Sequence, residues 1–105
     1  TGLSMGGYGT YDALEREPAL FAAAVPVCGG GDVSKASTIA TVPIWIFHGA
    51  EDAAVNPEYD VQMLVAFRKA GAHPGFTMYP ETGPFSWIAA YSDPMMMEWL
   101  FRQHK

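Results

Sequence analysis

Ile44-Trp45-Ile46-Phe47 is an unbroken apolar run, opened by Pro43 and closed by His48-Gly49. Polar and apolar positions do not alternate in it, so a strand built from it must be covered on both faces. Helices packed on both sides of a mainly parallel sheet supply that cover. The run therefore points to an α/β architecture before any other segment is considered.

The remaining segments fit that frame. Tyr8 to Arg16 reads as a helix, with Tyr8, Tyr11 and Leu14 at spacing three and Pro18 as its stop. Ala22 to Cys28 is an apolar run of strand length, although Pro26 lacks the N–H that a central strand needs. Gly29-Gly30-Gly31 must be a loop, and Lys35 to Ala40 a short helical turn. Asn56-Pro57 opens a helix, a capping residue followed by proline at the first position. Glu58 and Asp60 suit the positive end of its dipole, and Arg68 and Lys69 the negative end. Val61, Leu64 and Val65 form its expected buried stripe, and Gly71 stops it. Phe76 to Tyr79 is a third strand, followed by a loop from Pro80 to Trp87. Asp93-Pro94 caps a last helix that turns Met96, Trp99 and Leu100 inward. The expectation is one domain over residues 1–105, with three mainly parallel strands and flanking helices.

Composition removes several classes. Apolar residues make up 50% of the chain and charged residues 16%, which excludes a disordered polymer. The longest apolar stretch, Ala19 to Cys28, contains a proline and falls well short of the ~20 residues that span a bilayer. The net charge is −5, and six Lys and Arg are scattered without a basic run, which disfavours nucleic acid as a partner. Cys28 is the sole cysteine, so it makes no internal disulfide and no zinc cluster. It reads as a small buried hydrophobe. Met95-Met96-Met97 reads as a helix start with core methionines, since no histidine or cysteine stands beside it to share a metal.

The residues that could carry chemistry lie near strand ends. Gly2-Leu3-Ser4-Met5-Gly6 fits G-x-S-x-G, a sharp strand-to-helix turn that lifts a serine hydroxyl clear of the sheet. The alternative is an ordinary Gly/Ser loop. At a true elbow, the N–H of Met5 would point at a developing oxyanion. Asp52 follows the buried strand, where functional groups of open α/β sheets collect, and could orient a histidine. Glu51 is the rival acid, ranked below it. His48 reads as a structural, hydrogen-bonded histidine. The order serine, acid, histidine places a base in the loop after the last strand, and that loop holds none. His73 precedes the last strand and His104 sits near the end of the chain, so neither stands where a general base belongs.

Taken together, the chain resembles the C-terminal half of an α/β-hydrolase of the dienelactone hydrolase, prolyl oligopeptidase and feruloyl-esterase-like group. The resemblance covers essentially the whole chain. It rests on Gly2 to Gly7, on Val25-Pro26-Val27-Cys28-Gly29-Gly30-Gly31-Asp32, on Pro43 to Gly49 followed by Asp52, and on Tyr79-Pro80-Glu81-Thr82-Gly83 with Ser86-Trp87. It implies Ser4 as nucleophile, Asp52 as acid and Met5 as an oxyanion-hole donor. It also implies a catalytic histidine after Gly83, where this sequence has Pro84. The substrate pocket would lie over Ser4, walled by Phe85, Trp87 and the loop after Cys28. The implied substrate is a small ester or acyl compound, with no metal and no organic cofactor.

Three readings follow from the residues. The first is a serine esterase in ancestry, nearly inert as this chain because Pro84 replaces the base and the family's N-terminal half is not in it. The second is a non-catalytic module or pseudoenzyme that keeps the pocket. The third is a piece completed by another chain, including a homodimer joined through the open sheet edge. The compartment stays open; relatives of this kind are often exported.

Overall fold

The computed structural model describes residues 1–105. One parallel sheet runs in the order β1 (Gly2–Leu3), β2 (Pro26–Val27), β3 (Trp45–Gly49) and β4 (Gly75–Tyr79). That is four strands where the sequence predicts three. The added strand is β1, which pairs Gly2 with Pro26 and Leu3 with Val27. Two residues are too few to display a strand period, so β1 has no sequence signature of its own.

The apolar run behaves as its pattern requires. β3 lies between β2 and β4, and Ile46, Phe47 and His48 are fully buried. Alternate residues serve opposite faces. Ile44 and Ile46 join Tyr11 and Leu14 of α1 (Met5–Arg16), Ile39 of α2 (Ala36–Ile39), and Met63 and Phe67 of α3 (Glu58–Lys69). Phe47 joins Val25, Val27, Ala90 of α4 (Ser86–Tyr91) and Met96 of α5 (Pro94–Arg102) on the other face. The sheet is thus sandwiched between α1–α3 and α4–α5.

Pro26 explains why β2 is short. Ala24 donates to the Pro43 carbonyl at 2.9 Å and Cys28 to the Phe47 carbonyl at 2.7 Å. Pro26 holds the alternate position between them and has no N–H to give. The contact with β3 survives on the bonds either side of it, so the predicted run of Ala22 to Cys28 contracts to two regular residues and an isolated bridge between Ala24 and Ile44.

Helix boundaries depart from the sequence in physically readable ways. α1 begins at Met5, before the first residue of the Tyr8–Leu14 pattern. Its buried face is Gly7, Tyr11 and Leu14, while Tyr8 is exposed. The predicted turn over Lys35–Ala40 divides into a 3-10 turn at Val33–Lys35 and the short α2. α3 turns Asp60, Met63 and Phe67 inward instead of Val61, Leu64 and Val65, and Val65 is half exposed. The stripe is shifted because Asp60 has buried partners to meet. α4 occupies part of the stretch expected to be a loop. α5 starts as expected, with the Asp93 carboxylate accepting from the Met95 N–H at 2.9 Å.

Candidate active site

Ser4 is the single residue between β1 and α1. Turning from strand to helix in one residue forces it to φ 54° and ψ −115°. A side chain other than glycine rarely adopts such a positive φ, and where it does the surrounding bonds must hold it. They do so here. The Ser4 N–H donates to the Val27 carbonyl at 3.0 Å and lies 3.3 Å from the Cys28 sulfur. The Ser4 carbonyl accepts from Gly7 at 2.8 Å and from Tyr8 at 3.2 Å. Gly2 is required by the same bend, because a Cβ on it would overlap the Gly6 carbonyl oxygen. Cys28, across from Ser4, is the other non-glycine residue at positive φ, at 45°. Cys28 is buried, as expected, and burial pushes its thiol pKa up.

Met5 is the first residue of α1, and its N–H has no acceptor four residues back in the helix. Such a donor suits an anion at the helix start. The Met5 side chain points to solvent.

Asp52 lies beyond β3, at the same end of the parallel sheet as Ser4 beyond β1. Only 6% of it is exposed. Its Oδ1 accepts the N–H of Ala54 at 2.9 Å and of Val55 at 2.8 Å. Its Oδ2 is buried and has no hydrogen bond. His48 Nε2 stands 3.3 Å from that oxygen but is bonded to the Val55 carbonyl at 2.8 Å. An acid with one oxygen fully engaged and the other buried and idle is a group waiting for a donor. Glu51, the rival acid, is exposed.

The loop carrying Pro84 is fastened to the acid loop. Ala50 donates to the Tyr79 carbonyl at 2.9 Å and Glu51 to the Thr82 carbonyl at 3.0 Å. A Cβ on Gly49 would overlap the Thr82 carbonyl oxygen, so the glycine permits this close approach. Pro84, half-buried, follows two residues after Thr82. Phe85 is exposed and packs edge-on against the half-buried Trp87, with ring centres 5.3 Å apart. His73 and His104 are both exposed. His73 precedes β4, at the end of that strand opposite the Pro84 loop.

Asp60 is the functional-site neighbour that the sequence reading missed. It is fully buried, and its carboxylate takes the Tyr11 O–H at 2.6 Å, the His48 Nδ1–H at 2.7 Å and the Gly29 N–H at 3.3 Å. Burial pushes its pKa up, against the pull of His48 and Tyr11. Burial also pulls the His48 imidazole down, but Asp60 and the Val55 carbonyl outweigh it and leave His48 above its ordinary value. The signal was available in the spacing: residues 60, 63 and 67 share one helical face.

No protein-family model matches the sequence, and no curated protein sequence matches it. Among solved structures, the fold superposes on the crystal structure of a thermostable esterase with a TM-score of 0.94 and 41% identity. That match covers 99% of this chain and 30% of the esterase. It superposes on the Pyrococcus horikoshii acylaminoacyl peptidase with a TM-score of 0.84 and 17% identity, over 97% of this chain and 23% of the peptidase. A Bacteroides ovatus protein assigned as a dipeptidyl aminopeptidase IV gives 0.85 and 15%, over 98% of this chain and 19% of that one. The last two likenesses are of fold alone. This chain spans less than a third of each of these structures.

Proposed function

Because this chain is a partial α/β-hydrolase domain, we propose that it carries the nucleophile and the acid of a serine hydrolase of the carboxylic-ester type, silenced at position 84. The observation that supports this most is Ser4 itself, strained at a one-residue strand-to-helix turn and fixed there by Val27, Gly7 and Tyr8. An ordinary Gly/Ser loop has no reason to hold a serine in that conformation. The idle, buried Oδ2 of Asp52 is the second support.

The chemistry follows from these placements. With a base after Gly83, the Ser4 oxygen attacks an acyl carbonyl while the base takes its proton. The Met5 N–H receives the developing oxyanion. Asp52 orients the base and stabilises its cation. The C–O bond to the alcohol breaks, the alcohol leaves with the proton, and water then releases the acyl group from Ser4. No step calls for a metal or an organic cofactor. Phe85 and Trp87 offer the apolar wall against which the acyl or alcohol part of a small ester would rest.

Proline at 84 has no proton acceptor, so the chain as it stands lacks the base. Loss of a triad member leaves only what binding and the oxyanion hole supply. The test is hydrolysis of a short-chain p-nitrophenyl ester by the native chain, by Pro84→His, and by Pro84→His with Ser4→Ala. Turnover that appears with histidine and disappears with Ser4→Ala supports the proposal. Full turnover by the native chain contradicts the silencing at 84. Pro84 also favours a second reading, a pocket that binds acyl compounds without cleaving them, completed by another chain or by a second copy at the sheet edge. Silence of all three proteins, with p-nitrophenyl ester binding retained, supports that reading instead.

A further inference from the structure

We propose that His48 is the positioning residue for Asp52: it joins the acid loop to α3 by giving one ring N–H to Asp60 and the other to Val55. The proposal rests on the reading of Asp52 as the acid of an acyl-transfer site.

The geometry leaves His48 little choice. Its Nδ1 is 2.7 Å from a carboxylate oxygen of Asp60 and its Nε2 is 2.8 Å from the Val55 carbonyl oxygen. A backbone carbonyl has no proton to give, so Nε2 must donate. Asp60 accepts from Tyr11 and Gly29, two donors that oppose the upward push of burial and hold its oxygens as acceptors, so Nδ1 donates too. A ring that donates from both nitrogens is an imidazolium. The charged groups that face it are Asp60 from α3 and Asp52 from its own loop; Tyr11 from α1 reaches it through Asp60.

Two consequences reach the acid. Val55 is gripped from both sides: its carbonyl accepts from His48 while its N–H donates to Asp52 Oδ1. The segment 52–55 is therefore fixed to the sheet and to α3 at once. In addition, a fixed positive charge stands 3.3 Å from the idle Oδ2 without occupying it. That arrangement leaves the oxygen open to a second donor.

The test is nitrogen NMR of the His48 ring in the native chain, in Asp60→Asn and in Tyr11→Phe. Both ring nitrogens should carry protons in the native chain near neutral pH. Asp60→Asn should return the ring to a single neutral tautomer. It should also speed amide exchange at Val55 by about tenfold, the equivalent of one charged hydrogen bond, while Ile46 and Thr77 in the β3–β4 ladder keep their protection. Tyr11→Phe removes a donor but keeps the Asp60 charge, so the ring should stay doubly protonated. It decides the matter even if Asp60→Asn fails to fold. A neutral His48 in the native chain overturns the proposal, as does a neutral ring in Tyr11→Phe or a Val55 amide indifferent to Asp60→Asn. None of these readouts involves turnover, so their failure is distinct from a failure of the ester assay.

Discussion

Gly7 and Gly29 meet backbone to backbone where α1 crosses the end of β2. A Cβ on Gly29 would sit 2.5 Å from the Gly7 carbonyl carbon, and one on Gly7 would sit 2.6 Å from the Val27 carbonyl oxygen. The close crossing brings Val27 within reach of the Ser4 N–H. Cys28, one residue before Gly29, takes up positive φ beside it.

Gly29→Ala should therefore destabilise the chain by about 2 kcal/mol, the usual cost of overpacking. Gly9→Ala is the counter-case, since nothing lies within 4 Å of the added methyl and the site is an exposed helix interior. It should stabilise by roughly 0.5–1 kcal/mol. Urea unfolding midpoints separate the two directions.

The corrected face of α3 is testable in the same way. Met63 is fully buried, so Met63→Ala should cost about 3 kcal/mol. Val65 is 47% exposed, and Val65→Ala should stay within about 0.5 kcal/mol. The stripe expected from the sequence alone would demand a large loss at Val65.

The His48–Asp60 pair should appear in the pH dependence of stability. His48 in the folded chain titrates above its ordinary value of 6.5. The folded state thus holds a proton that the unfolded state has released, so this contribution is complete below the ordinary value. It is lost as pH rises through the folded value. The stability difference between the native chain and Asp60→Asn should shrink as pH rises above about 6.5. A difference that stays constant, or that grows, would contradict the assignment.

Some of this architecture was legible in the residues and some was not. The unbroken Ile44–Phe47 run marked the central strand because both faces of β3 are in fact covered. Asp93-Pro94 marked its helix because capping chemistry is local. α4 escaped notice because Ser86–Tyr91 is too short to develop a helical period. The α3 stripe falls on Asp60, Met63 and Phe67 and not on Val61, Leu64 and Val65, because an acidic residue in a first helical turn ordinarily answers the dipole, whereas Asp60 is held by partners 49 and 12 positions away. At the site, the elbow pattern carries both the strand-to-helix turn and the strained serine backbone, found at Ser4 with φ 54°. The idle oxygen of Asp52 depends on how His48 divides its bonds, which no local pattern records.

On the proposed reading, Ser4 is a poised nucleophile whose missing base would stand at position 84. The direct measurement is covalent labelling by a fluorophosphonate, located by mass spectrometry, in the native chain, in Pro84→His and in Pro84→His with Ser4→Ala. The expected result is a label on Ser4 that forms at least about a hundredfold faster in Pro84→His than in the native chain, the lower range for a positioned general base. The label should be absent from the Ser4→Ala control. Equal labelling rates in the native chain and Pro84→His, or a label on another residue, would contradict the account.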